Sequence, residues 1–181
     1  MKRLFFALWP DDKTRRAIQE ATRTLVQHCD GRPVPPENFH VTLAFLGQQP
    51  GDLLDDITAV ARDILVGDLK LELELDKLGY WPKPRVVWLG SSGKSRSLDS
   101  LAASLWAGLE GLGVAPDKRA LYPHITLCRK ARRPPPLNLS RTLAWRADNF
   151  VLVQSVTAEQ GAQYTVLEQF PDSSSDDPYH R

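Results

Sequence analysis

The stretch His40-Val41-Thr42-Leu43 recurs in the second half of the chain as His124-Ile125-Thr126-Leu127, and this repeat is the most informative pattern in the sequence. Each copy follows a proline-containing loop and lies in a predicted strand. Residues two apart on a strand share a face, so each copy presents an imidazole and a hydroxyl together, while the residues between them face the core. The chain has four histidines, and two of them fall in this frame. The repeat therefore predicts two related strands that carry the same pair of side chains.

The segments around the repeat predict strands and helices that alternate without a regular βαβ order. Strands are predicted over residues 3–9, 40–47, 69–75, 85–90, 124–128, 150–159 and 163–170, the last two as an antiparallel pair. Helices are predicted over residues 11–29, 51–67 and 98–111, and loops over 31–37 and 129–139. This mixture indicates an α+β fold, with helices packed outside antiparallel or mixed sheets.

Length and charge restrict the class of protein. The chain has 181 residues and a net charge of +1, from 23 Lys and Arg against 22 Asp and Glu. This length favours one domain or two closely packed lobes. The near-neutral balance excludes a histone-like or tail-driven nucleic-acid binder, although it leaves room for a local basic groove. Residues 172–181 are polar and acidic, which predicts a disordered tail after a single domain over residues 1–171.

The cysteines and the apolar runs predict a cytoplasmic protein without a membrane segment. Cys29 and Cys128 are the two cysteines of the chain, and neither lies in a CxxC or Cys/His cluster. We interpret them as buried thiols in a reducing compartment. The apolar run at residues 4–9 is too short for the core of a signal peptide. No stretch approaches the roughly 20 apolar residues that a membrane helix needs.

The repeated side chains predict acid–base chemistry on a phosphate. Imidazole has an unperturbed pKa of about 6.5, so two rings that face a cleft can act as acid and base in one displacement. The hydroxyls of Thr42 and Thr126 can donate to phosphate oxygens, and Arg129 can add charge-assisted bonds. No carboxylate recurs beside His40 or His124, so a metal site would lack its usual third ligand. We therefore expect phosphodiester cleavage without a metal or another cofactor.

Four segments resemble the two-histidine phosphoesterase superfamily and, within it, the bacterial RNA 2′,3′-cyclic phosphodiesterases, also called 2′-5′ RNA ligases. They are RLFFA at residues 3–7, HVTLAFLG at 40–47, RVVWLG at 85–90 and PHITL at 123–127. The segments follow one another in the order of the family. The resemblance implies a bilobal α+β fold with two pseudo-symmetric lobes, outer helices and a central cleft lined by both motifs.

The resemblance also implies a reaction and a set of site residues. The family hydrolyses the terminal 2′,3′-cyclic phosphate of RNA to a 2′-phosphomonoester without a metal. On its pattern, His40 is the proton donor to the leaving 3′ oxygen, and His124 is the proton acceptor that activates water. Arg129 matches the phosphate-binding arginine of the family, and Thr42 and Thr126 are expected beside it. The near symmetry of the two motifs leaves the two histidine roles interchangeable by sequence.

Several expectations about partners and alternatives accompany this prediction. The expected partner is an RNA end or oligonucleotide with a 2′,3′-cyclic phosphate, bound by a monomer. Phe45 is either a base-stacking residue or part of the core. Trp81, in a predicted loop, is a weaker stacking candidate, and Trp88 and Trp106 are expected in the core. Two other functions stay open: 2′-5′ ligation at the same site, and non-catalytic RNA or nucleotide binding, which would not need two titrating groups.

Overall fold

The computed structural model consists mainly of antiparallel strand pairs. It describes residues 1–64, 69–117, 120–158 and 161–171. The predicted tail at 172–181 lies outside the described residues. The strands are β1 Lys2–Leu8, β2 Arg32–Pro33, β3 Val41–Gln49, β4 Leu71–Leu75, β5 Lys77–Trp81, β6 Val86–Gly90, β7 His124–Arg129, β8 Leu143–Ala147, β9 Phe150–Ala158 and β10 Gly161–Phe170. The α-helices are α1 Asp12–Gln27, α2 Leu54–Ile64 and α3 Arg96–Gly111.

The main sheet consists of two halves that meet at the two motif strands. Its strand order is β10-β9-β1-β3-β7-β6-β5, and β2 pairs with the C-terminal end of β7 on the edge opposite β6. Strands β4 and β8 form a separate two-stranded sheet. The halves are joined between β3 and β7 by one residue pair, Val41 opposite Ile125. This arrangement confirms the predicted bilobal α+β fold and places both motifs at the junction of the lobes.

The helices cover the core with the faces that their periodicity predicts. The Asp11 carboxylate accepts a hydrogen bond of 2.7 Å from the backbone N–H of Thr14 and so caps α1. Helix α3 begins after Ser95, which caps it in the same way. The buried residues of α3 are those that the sequence predicts: Leu98, Leu101, Ala102, Leu105 and Leu109. One large hydrophobic core contains residues from α1, α3 and the strands of both halves.

The structure corrects three predictions about secondary structure. Strand β2 and a 3₁₀ turn at Pro36–Asn38 lie within the predicted loop 31–37. Strand β5 contains Trp81, which was predicted in a loop. Strand β8 was not predicted, although Leu143, Trp145 and Ala147 alternate as buried residues. All three strands are short, and the partners of β2 and β8 are distant in sequence, so local pattern gives them little support.

The interpretation of the cysteines as free thiols is wrong. Cys29 and Cys128 form a disulfide across a sequence separation of 99 residues. The pairing of β2 with β7 places Pro33 opposite Cys128, which brings the end of α1 beside the second motif. Sequence spacing alone gives no sign of this contact. Among the described residues, no helix has both the length and the apolar composition needed to cross a membrane.

Candidate active site

The register between β3 and β7 brings the two motifs together. Val41 lies opposite Ile125, and both side chains are fully buried. When this antiparallel register is continued by one residue in each direction, His40 faces Thr126 and Thr42 faces His124. Because side chains alternate along a strand, these four point away from the core, on one face. All four are half-buried, which is the exposure expected of residues that line a cleft.

Each histidine ring is held by the same backbone contact. Nδ1 of His40 lies 2.8 Å from the carbonyl oxygen of Asn38, and Nδ1 of His124 lies 2.7 Å from that of Tyr122. In both cases the carbonyl belongs to the residue two positions earlier. A carbonyl oxygen only accepts, so Nδ1–H donates in both rings. Nε2 is therefore the nitrogen of each ring that is left for proton transfer.

Aromatic rings surround His40. The indole of Trp9 stacks on it with centroids 5.3 Å apart and planes at 6°. The rings of Phe5 and Tyr164 lie at 5.0 and 5.2 Å. Burial lowers the pKa of His40 to about 4, and the positive charge of Arg129 acts in the same direction. The carbonyl of Asn38, which accepts from the ring, raises this pKa and opposes only part of the effect.

His124 has an aromatic neighbourhood of its own. Its ring makes an edge-to-face contact with Trp81 at a centroid distance of 4.6 Å. Trp81 in turn packs against Trp88 and Tyr122, at 5.1 and 5.7 Å. Burial lowers the pKa of His124 below its ordinary value of 6.5, and Arg129 adds to this shift. The prediction that Trp88 belongs to the core is confirmed by its 4% exposure.

A β-bulge in β7 brings Arg129 to the histidine face. Thr126 pairs with Trp88, and Cys128 pairs with Val87, the residue adjacent to Trp88 on the antiparallel strand β6. Two steps along β7 therefore match one step along β6, and Leu127 is the extra residue on β7. Leu127 and Cys128 are both fully buried, which reverses the alternation of side chains. Arg129 consequently emerges on the side of His124, and it lines the same cavity as His40.

The first motif has a matching bulge that places Phe45. Thr42 pairs with Ala7 and Ala44 with Phe6, which leaves Leu43 as the extra residue on β3. Leu43 and Ala44 are both buried, and Phe45 follows on the cleft side with 39% exposure. Phe45 is therefore not a core residue. It occupies in the first motif the position that Arg129 occupies in the second, five residues after the histidine.

Two cavities flank Thr42 and Phe45, which line both of them. The larger, of about 710 Å³, lies on the side of His124, and its walls include Trp81, Trp106 and Tyr122. Trp106 is thus only partly a core residue. The smaller cavity, of about 340 Å³, lies on the side of His40, and its walls include Arg3, Arg129, Ser155, Thr157 and Tyr164.

Thr126 lines neither cavity, although the strand register places it opposite His40. Within the described ranges of the chain, no group of three or more His, Cys, Asp or Glu side chains is arranged to hold a metal ion. The contacts of Trp9, Tyr164 and Arg3 with this site were missed by sequence reasoning. The signal for Trp9 and Arg3 was the alternation along residues 3–9, in which Arg3, Phe5, Ala7 and Trp9 share a face.

The model of one protein family, described as LigT like Phosphoesterase, matches residues 8–88. The chain belongs to this family, because relatives that match nearly its whole length are named RNA 2′,3′-cyclic phosphodiesterase. That of Thermus thermophilus is 33% identical, with 93% of this chain and 89% of the relative covered. That of Escherichia coli is also 33% identical, with 93% and 96% covered.

Solved structures agree with this assignment. Escherichia coli LigT complexed with 3′-AMP matches with a TM-score of 0.83 and 30% identity, covering 95% of this chain and 98% of that one. A Thermus thermophilus protein, TT0787, matches with a TM-score of 0.81 and 32% identity, covering 93% and 96%. The MHV ns2 PDE domain shares only the fold, with a TM-score of 0.53 and 11% identity.

Proposed function

We propose that this chain hydrolyses the terminal 2′,3′-cyclic phosphate of RNA to a 2′-phosphomonoester. The observation that carries the proposal is the pair of histidines on neighbouring strands, each with Nδ1 held by a backbone carbonyl and Nε2 left for proton transfer. The names of the relatives support the substrate class. They favour hydrolysis over 2′-5′ ligation, and two such rings have no evident purpose in a protein that only binds RNA.

The proposed reaction is a single displacement at phosphorus. Nε2 of His124 accepts a proton from water as the water oxygen bonds to phosphorus. The bond from phosphorus to the 3′ oxygen breaks, and Nε2–H of His40 donates its proton to that oxygen. The products are a 3′-hydroxyl and a 2′-phosphate. Two positioned imidazoles supply both proton transfers, so the mechanism needs no metal or other cofactor.

Three further side chains are proposed to hold the phosphate. Thr42 and Thr126 donate hydrogen bonds from their hydroxyls to its non-bridging oxygens. Arg129 adds charge-assisted bonds, which is supported by its place in the wall of the cavity that His40 and Thr42 also line. We also propose that Phe45 stacks on the terminal base, since its exposed ring lies at the border of both cavities.

The assignment of donor and acceptor has its own test. The pKa of about 4 for His40 means that this ring is neutral in the empty site near pH 7. The negative charge of the bound phosphate must therefore raise that pKa if His40 is to donate. An ester with a p-nitrophenolate leaving group does not need protonation. We expect His40→Ala to recover much of its lost rate on such a phosphodiester, and His124→Ala to recover none; the opposite pattern would exchange the roles.

The decisive experiment uses a short RNA that ends in a 2′,3′-cyclic phosphate, incubated with the enzyme in excess chelator. We expect a 2′-phosphate at the product end, identified by its position-specific chemical shift in ³¹P NMR. The His40→Ala/His124→Ala double variant is the control for contaminating activity. A 3′-phosphate product, or activity that returns only with a divalent ion, would contradict the proposal.

Three general properties are proposed with the activity. Residues 1–171 act as a single bilobal domain, which agrees with a core that draws on both halves of the sheet. The enzyme is a monomer, which light scattering would test. It works in the cytoplasm. The Cys29–Cys128 disulfide does not support this location, because disulfides persist mainly in oxidising compartments.

A further inference from the structure

One face of β1 forms the floor of the cleft beyond His40. Leu4, Phe6 and Leu8 are fully buried on the core side of this strand. Arg3 and Phe5 therefore share the opposite face. The ring of Phe5 lies 5.0 Å from that of His40. Arg3 is two residues further along the strand, a distance of about 6.6 Å from Phe5, and it lines the same cavity as Phe5 and His40.

Arg3 is held over the ring of Phe45. Its guanidinium carbon lies 5.1 Å from the ring centroid, a cation–π distance. On the neighbouring strand, Ser155 pairs directly with Arg3. Ser155 and Thr157 line the same 340 Å³ cavity as Arg3 and place two hydroxyls in it. The cleft thus changes along β1, from an aromatic surface at His40 to a cationic, hydroxyl-bearing surface at Arg3.

The charge of this cavity favours an anion. Arg3 and Arg129 both line it, and none of the described residues in its wall is acidic. Arg129 emerges on the side of His124 and lines the cavity together with His40 and Thr42, so we assign it to the phosphate at the reacting centre. Arg3 lies over the ring of Phe45 and next to Ser155 in the sheet, so it is available to a second phosphate. A guanidinium with neighbouring hydroxyls is well suited to phosphate oxygens.

We propose that Arg3, with Ser155 and Thr157, binds the phosphate on the 5′ side of the terminal nucleotide. The terminal 2′,3′-cyclic phosphate would lie at the histidines and the next phosphate of the chain at Arg3, with the nucleoside between them beside Phe45. The site then distinguishes an RNA chain end from a free nucleoside 2′,3′-cyclic phosphate. This inference rests on the proposed hydrolysis, since it assigns the position of that substrate.

The test compares two substrates that differ in one group: uridine 2′,3′-cyclic phosphate with a 5′-hydroxyl and the same compound with a 5′-phosphate. We expect the parent enzyme to have the higher kcat/KM on the 5′-phosphorylated compound. Arg3→Gln should reduce this preference by about 10- to 100-fold, as expected for loss of a charged donor. Arg3→Lys should retain part of the preference. Ser155→Ala and Thr157→Ala should each reduce it by about 2- to 10-fold.

Lys2 provides the matched control. It is the neighbouring cation on β1, and alternation directs it to the other face. Lys2→Gln should leave the preference of the parent enzyme unchanged. A parent enzyme that treats the two substrates alike would overturn the proposal. So would an Arg3→Gln variant that loses the same factor on both, because Arg3 would then act on the part that the substrates share.

Binding of the products separates this proposal from the proposed activity. Calorimetry with uridine 2′-phosphate and uridine 2′,5′-bisphosphate measures the same preference without turnover. We expect tighter binding of the bisphosphate by the parent enzyme and loss of that difference in Arg3→Gln. An enzyme that hydrolyses neither these two compounds nor an RNA 2′,3′-cyclic phosphate would refute the proposed function, and the calorimetric difference would still decide the subsite. Equal affinity for the two products would refute the subsite.

Discussion

His40 and His124 would carry the two proton transfers, so each should be indispensable to rate and dispensable to folding. We expect His40→Ala and His124→Ala each to reduce kcat by about 10²- to 10⁴-fold on an RNA 2′,3′-cyclic phosphate. Both rings lie on the cleft face rather than in the core, so the circular dichroism spectrum should be retained. His28→Ala, which changes an exposed histidine at the end of α1, is the control. Near-normal turnover in either cleft variant would remove that histidine from the mechanism.

The pH dependence of the rate follows from the same two rings. A donor and an acceptor that are both imidazoles require one protonated and one neutral ring, which gives a bell-shaped profile with macroscopic pKa values. The pKa values of both histidines lie below 6.5 in the empty site. Because kcat/KM reports the free enzyme, its optimum should lie below pH 6.5. The optimum of kcat should lie higher, since bound phosphate raises both values; coincident profiles would contradict this explanation.

Arg129 should affect the rate without affecting the shape of that profile. A guanidinium cannot exchange protons near neutrality, so its contribution is electrostatic. Arg129→Ala removes a charged donor, which corresponds to about 10- to 100-fold in kcat/KM. Arg129→Lys should recover only part, because the ammonium keeps the charge but lacks the planar fork. Steady-state kinetics across pH would test this, and loss of one limb in either variant would show that Arg129 acts on proton transfer.

At the scale of elements, the sequence predicts the motif strands but not their irregularities. Alternation in HVTL and HITL is enough to place the histidines and threonines on one face. The positions of Phe45 and Arg129 depend on bulges at Leu43 and Leu127. Two adjacent apolar residues precede Phe45 and Arg129: Leu43-Ala44 and Leu127-Cys128, respectively. This break in the alternation of apolar and polar residues is the sequence signal of the two bulges. Strand β2 and the disulfide were beyond prediction, because their pairing depends on residues distant in sequence.

The disulfide between the end of α1 and β7 makes a testable difference to stability. Closure of a long loop restricts the unfolded chain, and such a bond typically contributes about 2–4 kcal/mol. We expect the free energy of unfolding in urea to decrease by this amount when dithiothreitol is present. Cys29→Ala should unfold at the lower urea concentration with or without the reductant. If the parent protein is insensitive to the reductant and two thiols react under non-reducing, denaturing conditions, the cysteines are not paired.

For the whole molecule, the lowered pKa of His40 in the cleft makes the free energy of unfolding depend on pH. The pKa of His40 falls from 6.5 to about 4 on folding, so between these values the unfolded chain binds a proton that the native chain does not. The free energy of unfolding should therefore decrease as the pH falls from 6.5 to 4, by up to about 1.4 kcal/mol per pH unit from this ring. His124 acts in the same direction, since its pKa is also lowered.

Three carboxylates with lowered pKa values affect stability mainly below this pH window. Hydrogen bonds hold the pKa values of Asp11, Asp30 and Asp76 below 3.8, so their contribution to stability is lost only at a lower pH. Urea unfolding at several pH values would measure the slope between pH 6.5 and 4, and His40→Asn should flatten it because the titrating ring is gone. His28→Asn, at an exposed position, should keep the slope of the parent. An unchanged slope in His40→Asn would mean that this ring is protonated as easily in the folded protein as in the unfolded chain, and the acidic optimum expected for kcat/KM would lose its basis.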